Sequence, residues 1–109
     1  MSDAFERLTQ LNRIVHEPAR LAILTALTQV NIVDFTFLQR LTGLTRGNLS
    51  SHLATLEAAG LILITKEFVG KTPHTSITLT EIGREAVEQH WQQLERLRAD
   101  THAWRPEDK

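Results

Sequence analysis

Residues 41–61 read LTGLTRGNLSSHLATLEAAGL, and this stretch decides the fold. Gly43 predicts a turn, because glycine adopts backbone angles that other residues resist. Thr45 predicts the N-cap of a helix, and Gly60 predicts its left-handed C-terminal cap. An apolar stripe at helical spacing is formed by Leu49, Leu53 and Leu56. The stretch therefore predicts a turn, a helix with one buried face, and a stop.

The opposite face of this predicted helix carries short, polar and mostly uncharged side chains. Its members are Arg46, Gly47, Asn48, Ser50, Ser51 and His52. A helix whose outer face only meets solvent more often carries Glu and Lys. A helix that enters a DNA groove needs donors and acceptors for base edges, together with small residues that permit close approach. The pattern therefore favours a helix that contacts DNA.

Three helices are predicted before this one. Asp3 caps the first, whose apolar face continues at helical spacing as far as residue 14 or 15. Pro18 opens the second, because proline suits the first turn of a helix. Asp34 caps the third and follows two branched residues, Ile32 and Val33, which predict a very short strand. Burial in the third helix is predicted for Phe35, Leu38 and Leu41.

The spacing of the apolar residues changes after Gly60. Residues 61–69 are rich in branched side chains and predict a strand, and residues 74–80 alternate as a half-buried strand does. Residues 70–73, GKTP, are typical of a turn. The two strands therefore predict a β-hairpin with a basic tip.

A long terminal helix is predicted after Thr80, its N-cap. Its apolar and aromatic residues step by four and three, as in a coiled-coil seam. A domain this small cannot easily cover two apolar terminal helices, and a large bare apolar patch marks an interface. We therefore expect a homodimer, although the same residues could form core within one subunit. The expected dimer interface consists of Phe5, Leu8, Leu11, Val87, His90, Trp91, Leu94, Leu97 and Trp104.

Length and composition exclude several classes of protein. The 109 residues suit a single domain over 1–109, and the absence of cysteine removes disulfides, thiolate metal sites and cysteine nucleophiles. There is no glycine-rich phosphate loop and no Ser-His-Asp spacing, so an enzyme is not expected. No apolar run approaches the length of a membrane span, and acidic residues interrupt the N-terminus, so a cytoplasmic location is expected.

The charge is distributed unevenly along the chain. The net charge is -1, but residues 45–80 carry three basic and two acidic residues, whereas residues 81–109 carry five basic and seven acidic residues. The middle is therefore weakly basic, and DNA affinity per subunit should be modest. This weak basicity also keeps an alternative open, a winged-helix module that binds a partner protein and not DNA.

The order of these elements resembles the winged helix-turn-helix of ArsR/MarR-type transcriptional regulators, a mainly α (α+β) fold of about five helices with a two-stranded wing. The first helix of that motif is matched by residues 18–24, PARLAIL. The recognition helix and its exit are matched by residues 44–53, LTRGNLSSHL, and 56–62, LEAAGLI. The wing and the return to the last helix are matched by residues 71–75, KTPHT, and 79–84, LTEIGR. The resemblance covers nearly the whole chain.

The resemblance implies a homodimeric repressor or activator of a pseudo-palindromic operator in double-stranded DNA. It places Thr45, Arg46, Asn48, Ser50, Ser51 and His52 in or beside the major groove. It places Lys71, with Thr72 and His74, at the minor groove or the phosphates. The metal-sensing members use a cysteine-containing signature that is absent here, so no metal or cofactor is expected, and no residue identifies a small-molecule effector.

Arg46 could donate to a guanine edge or to a phosphate, and Gly47 and His52 also have alternative explanations. Gly47 costs about 1 kcal/mol relative to alanine inside a helix, so it needs a reason. That reason is either close approach to the DNA backbone or relief of a crowded turn between the two helices. His52 either reaches a phosphate or is a partly packed surface imidazole.

Overall fold

The computed structural model describes residues 3–108, so residues 1, 2 and 109 of the predicted domain lie outside it. The elements in chain order are α1 Ala4–Thr9, α2 Arg13–His16, α3 Pro18–Gln29, β1 Ile32–Asp34, α4 Phe35–Thr42, α5 Arg46–Ala58, β2 Ile62–Val69, β3 Thr72–Leu79, α6 Glu81–Ala103 and a 3-10 turn at Pro106–Asp108. Helices, a three-stranded antiparallel sheet and a hairpin after α5 confirm the α+β winged-helix fold.

The first helix of the sequence prediction is in fact two short helices. Asp3 caps α1 as predicted, with its carboxylate accepting from the amide of Glu6 at 3.0 Å. The chain then turns, and the side chain of Asn12 accepts from the amides of Ile14 and Val15 at 2.9 and 3.2 Å. The prediction of one continuous helix was wrong because Asn12 caps a second helix, α2, at this point.

The central helix of the fold is α3, as its apolar residues predicted. Glu17 is its N-cap, and Pro18 occupies the first turn. Ile23, Leu24 and Leu27 are completely buried. They pack with residues of α2, α4, α5 and the sheet in the main hydrophobic core.

The helix-turn-helix comprises α4, a short turn and α5. Asp34 caps α4 by accepting from the amide of Phe37 at 2.7 Å, and Gly43 ends it with φ 72°. Leu38 is buried, but Leu41 is 57% exposed, so the predicted burial of Leu41 is wrong. Each step of three residues falls short of a full helical turn, and Leu41 has therefore rotated away from the core.

The predicted ends and buried face of α5 are confirmed. Thr45 accepts from the amide of Asn48 at 3.1 Å. Leu49, Leu53 and Leu56 are buried in the main core. Gly60 has φ 79°, and the following amide of Leu61 donates to the carbonyl of Leu56 at 3.0 Å. This pattern is a Schellman cap, which stops the helix where the sequence predicted.

The sheet has the strand order β1-β3-β2, and all pairs are antiparallel. The hairpin between β2 and β3 closes with only two loop residues, Gly70 and Lys71, because Val69 pairs with Thr72. Pro73, predicted in the turn, therefore lies in β3 opposite Phe68. Here β3 has β2 on one side alone, since β1 pairs only with residues 76–78, and the missing N–H of proline breaks no ladder bond on the open side.

A second, smaller core lies where α1 packs on the distal half of α6. It contains Ala4, Leu11 and Leu97, with Leu94 packed against it. Arg7 and Asp100 form an ion pair at 2.6 Å across the same two helices. We call this pair of helices, α1 with residues 92–103 of α6, the arm. The radius of gyration is 17.1 Å, whereas about 13 Å is expected for a compact domain of this length, because the arm extends from the winged helix.

The proposed dimer seam is divided by this packing. Leu11, Val87, His90 and Leu97 are buried within the chain, so in this conformation they add no area to an interface between copies. Phe5, Leu8 and Trp91 are each at least 40% exposed. Leu94 and Trp104 are half-buried, and the ring of Trp104 meets that of Phe5 edge-on at 5.5 Å.

None of the helices in the part of the chain that the structure describes is long and apolar enough to cross a membrane.

Candidate nucleic-acid interface

The outward face of α5 is open to solvent along its whole length. Thr45, Arg46, Gly47, Asn48, Ser50 and Ser51 are all exposed. Opposite the buried leucines, an outermost line of small residues is formed by Gly47, Ser51, Ala54 and Ala58. The sequence prediction did not include Ala54 and Ala58, although their spacing from Gly47 and Ser51 places them on this line. The side chains along the centre of the exposed face are therefore short, and longer polar side chains lie on its two flanks.

Arg46 occupies the flank of α5 that faces the wing. Its guanidinium carbon lies 5.0 Å from the centroid of the Phe35 ring, at the beginning of α4. A cation near a helix N-terminus is unfavourable by a few tenths of a kcal/mol up to about 1 kcal/mol. The contact with Phe35 offsets this cost and directs the side chain over the groove between α5 and the wing.

The surroundings of Gly47 decide between the two explanations for this glycine. A Cβ atom built at Gly47 would meet no atom of the described chain within 4 Å. The turn between α4 and α5 is therefore not crowded at this position, and that explanation was wrong. The other explanation, close approach to the DNA backbone, stays a prediction.

An open groove of about 790 Å³ lies between α5, the beginning of α4 and the wing. It brings together four residues that the sequence predicted to contact DNA, which are Arg46, Ser50, Thr72 and His74. Thr36, at the first turn of α4, lines the same groove and was not predicted. Its only sequence signal was its place two residues after the capping Asp34, which puts it at the exposed start of a helix.

The charges around this groove largely cancel. Arg46 and Lys66 supply two positive charges to its lining, and Asp34 and Glu57 supply two negative charges. Lys71 is exposed at the hairpin loop, outside this lining, and adds positive charge at the tip of the wing. The wing tip also exposes apolar side chains, with Phe68 71% exposed.

His52 lies on the other flank of α5, the one that faces α3. Nδ1 of His52 is 3.1 Å from Nη1 of Arg20, and 3.9 Å from Oε1 of Glu17. The side chain of His52 is 21% exposed. It is thus partly packed, as one of the two sequence interpretations held, and it keeps one edge open. Arg20 was not singled out in the sequence, and its contact could not be read from spacing because it joins residues 32 positions apart.

A pair of histidines joins α2 to α6. Nδ1 of His16 lies 2.9 Å from Nε2 of His90, whereas the buried Nδ1 of His90 has no hydrogen-bond partner among the described residues. Burial, and to a lesser extent the neighbouring His16, lower the pKa of His90 below its ordinary value of 6.5. Across residues 3–108, no group of three or more His, Asp or Glu side chains could hold a metal ion.

Comparison with known proteins gives one family match. The model of a winged helix DNA-binding domain matches residues 19–98, from the second residue of α3 to the distal half of α6. The matched region includes the helix-turn-helix, the wing and the groove between them. A comparison with curated proteins finds no match.

Solved structures with the same fold are transcriptional regulators. A transcriptional regulator homologue from Pyrococcus horikoshii OT3 is 27% identical, with a TM-score of 0.80 over 88% of this chain and 94% of that chain. A MarR-family regulator from Silicibacter pomeroyi is 19% identical, with a TM-score of 0.63 over 87% of this chain and 64% of that chain. The transcriptional repressor CouR, bound to a 23-mer DNA duplex, is 22% identical, with a TM-score of 0.69 over 82% of this chain and 62% of that chain. The last two similarities concern the fold alone.

Proposed function

The chain belongs to the winged helix DNA-binding domain family, with a MarR-like fold, and on this premise we propose that it binds a pseudo-palindromic operator as a homodimer and regulates transcription there. The observation that carries this proposal is the exposed outer face of α5, which is small and polar although no atom of the described chain restricts its size at Gly47. The members of the family are DNA-binding domains, and we assign the chain no catalytic activity.

In the proposed complex, α5 lies in the major groove. The small residues of the outermost line allow the helix to approach the base edges closely. Ser51 on that line, and Arg46, Asn48 and Ser50 on its two flanks, supply donors and acceptors that suit base edges or phosphate oxygens. The hydroxyl of Thr45 accepts the capping bond from Asn48 and keeps its hydrogen free to donate to the DNA backbone.

The wing follows the adjacent backbone in this proposal. Lys71 is at its tip, and Thr72 and His74 line the groove on the side that faces α5. Lys66 lies on the neighbouring strand β2, opposite Thr75 in the register. These side chains supply the positive charge and the hydrogen-bond donors that phosphates need.

Dimerisation through the arm would supply the second half of the interface. The arm extends the molecule to 67 Å in its longest direction, and it has only a small core of its own. Phe5 and Leu8 on α1, and Trp91 directly before the arm segment of α6, remain at least 40% exposed. Pairing of two arms across a two-fold axis would cover them and set the two copies of α5 roughly 34 Å apart, which is about one turn of DNA.

Selection of bound duplexes from random DNA tests the proposed function. We expect an inverted repeat with half-site centres about 10 base pairs apart, and an affinity that falls steeply with salt concentration. Sedimentation at micromolar concentration should show a dimer. A selection that enriches no sequence, together with a monomer in sedimentation, would reject the proposal.

A pair of charge variants makes this test specific to α5. Ser51→Glu places a negative charge on the outermost line of α5 and should abolish binding without unfolding the protein, because Ser51 is exposed. Gln89→Glu adds the same charge to an exposed position of α6 outside the arm, and should leave the affinity nearly unchanged. Equal effects of the two variants would show that α5 has no special role.

The cancelling charges of the groove favour one alternative, a winged helix that docks a partner protein. Salt separates the two functions. Retention on heparin or duplex DNA that is lost at moderate salt supports DNA binding, whereas passage through both columns at low salt supports the alternative.

A further inference from the structure

Arg20 joins two other helices through all three nitrogens of its guanidinium group. Nε donates to the carbonyl of Ile14 at 2.7 Å, and Nη2 donates to the carbonyl of Arg13 at 3.3 Å. Nη1 lies 3.1 Å from Nδ1 of His52. One side chain of α3 therefore connects the short helix α2 with the recognition helix α5.

The sequence beside Arg20 explains why α2 needs this side chain. In a helix that continued, the carbonyl of Ile14 would accept from the amide of residue 18. Residue 18 is proline, which has no N–H, so that bond cannot form. Nε of Arg20 supplies the missing donor, and Glu17 accepts from the backbone amide of Arg20 at 2.8 Å.

The contact with Arg20 also determines where the proton of His52 lies. A guanidinium group only donates hydrogen bonds, so Nδ1 of His52 must accept. The imidazole is therefore neutral in this arrangement, with its hydrogen on Nε2. The carboxylate of Glu17 is the other charged group beside the ring, and at 3.9 Å it is beyond hydrogen-bond distance from Nδ1.

We propose that Arg20 is a positioning residue for DNA binding, which holds His52 in the orientation and tautomer that donate Nε2–H to a DNA phosphate oxygen. This inference rests on the proposed function. His52 lies on a flank of α5 and not on its outermost line, one turn after Asn48. Flanking residues of a helix in the major groove face the groove walls, which consist of phosphates.

Arg20 acts through His52 and not through its own charge. Three of the five N–H groups that a guanidinium offers are bonded within the chain. Its contribution is to the orientation of His52, because Arg20 connects the imidazole to the backbone carbonyls of α2. A rotation of His52 away from Arg20 would remove both the fixed orientation and the fixed tautomer.

Long-range ¹H–¹⁵N spectra of the histidine rings in the free wild-type protein test the contact itself. At pH 8 we expect His52 to show the Nε2–H pattern, because its Nδ1 faces a group that can only donate. Arg20→Gln should remove this preference and leave a mixture of the two tautomers. A wild-type His52 with its hydrogen on Nδ1 would overturn the proposal, because such a ring cannot accept from Arg20.

A double-mutant cycle tests the role in binding. The probe is a duplex that the wild-type protein selects from random DNA. Arg20→Gln and His52→Ala should each raise Kd about tenfold, as loss of one charge-assisted hydrogen bond does. The double variant should also lose only about tenfold, because both substitutions remove the same contact. Arg84→Gln, which removes a positive charge from α6 outside both α5 and the arm, should leave Kd within about twofold.

Arg20→Gln also deprives Ile14 of its donor, so thermal unfolding is measured for every variant. If that variant does not fold, the test passes to His52→Ala, which leaves the bonds to α2 in place and should still lose binding. Losses that multiply to about a hundredfold, or wild-type affinity in a folded Arg20→Gln, would reject the positioning role alone. Failure of the wild-type protein to bind any duplex would reject the proposed function and this role together.

Discussion

The helices α5 and α6 begin in the same way, but the glycines in their first turns have different surroundings. Each is capped by a threonine, Thr45 or Thr80, and each carries a glycine in its first turn. A Cβ atom built at Gly83 of α6 would lie 2.0 Å from the carbonyl oxygen of Leu61, whereas one at Gly47 of α5 would meet nothing within 4 Å. The packing of α6 therefore requires a glycine at position 83, whereas no packing contact within the described chain requires one at position 47.

The difference teaches that a glycine in a helix can be interpreted only with its surroundings. Both glycines cost helix stability relative to alanine, by about 1 kcal/mol each. At Gly83 the close packing of α6 on the backbone of Leu61 compensates for that cost. At Gly47 no packing contact compensates for this cost. A substitution there should therefore affect stability and DNA binding in opposite directions.

Gly83→Ala should have the largest effect, a loss of about 3 kcal/mol in the free energy of unfolding, because the added methyl group overlaps backbone that cannot move aside freely. Urea denaturation of the two proteins measures it. Ala86→Ser, a substitution in the same part of α6, serves as a control and should cost less. A Gly83→Ala protein as stable as the wild type would mean that α6 docks differently from the structure.

Arg46→Ala should weaken operator binding by about 1–3 kcal/mol if Arg46 contacts a base. Its unfolding free energy should stay within about 0.5 kcal/mol of wild type, because the residue is exposed. Fluorescence anisotropy with a labelled operator gives the affinity, and Arg84→Ala, which lies in α6 outside the arm, controls for lost charge. Unchanged affinity would contradict the assignment of this flank of α5 to DNA.

Gly47→Ala should stabilise the free protein by up to about 1 kcal/mol, because alanine is the better helix former and the position is uncrowded. The same substitution should weaken operator binding, since its methyl group would stand on the outermost line of α5. Thermal unfolding and anisotropy, done on one preparation, measure the two effects. A gain in both stability and affinity would show that Gly47 does not face DNA.

The smallest effect concerns His90, on the buried side of α6. Because the pKa of His90 is lowered below 6.5, the unfolded chain binds more protons than the folded chain between that lowered value and 6.5. Stability should therefore be complete above pH 6.5 and fall as the pH drops below it, by at most about 1.4 kcal/mol per pH unit from this group.

Urea denaturation between pH 5 and 8 measures the pH dependence. His90→Gln should remove the contribution of this residue, whereas His102→Gln, at an exposed position of the arm, should retain it. If wild type and His90→Gln respond equally to pH, the burial of His90 does not contribute to the pH dependence of stability.

The signals that predicted the fold act within one helical turn. The caps at Asp34, Thr45 and Gly60 were predicted correctly because each depends on a side chain or glycine and the amides next to it. The signal at Asn12 was equally local, since asparagine is among the best N-caps, and it was missed because the apolar spacing ran on across it. At this position the capping side chain of Asn12, and not the apolar periodicity, determined where the helix begins.

The features that could not be predicted depend on how helices distant in the sequence pack against each other. Leu11 and Leu97 lie 86 positions apart and bury each other inside the subunit, where periodicity alone allowed a seam between copies. Likewise the contact between Arg20 and His52 follows from the angle between α3 and α5, which no spacing encodes. The residues of the candidate site were predictable as exposed positions of α5, but the groove that joins them to the wing was not.

Trp91 lies where α6 passes from its contacts with α3 to its contacts with α1. Its indole N–H donates to the hydroxyl of Thr25 on α3 at 3.0 Å, and the residues beyond it pack on α1. The 12 residues from there to Ala103 span about 18 Å, so a bend of about 10° at this point displaces the far end by about 3 Å. In the proposed dimer that distance is close to one base-pair step of DNA, so a substitution at this position that bends α6 would change the preferred spacing of the operator half-sites.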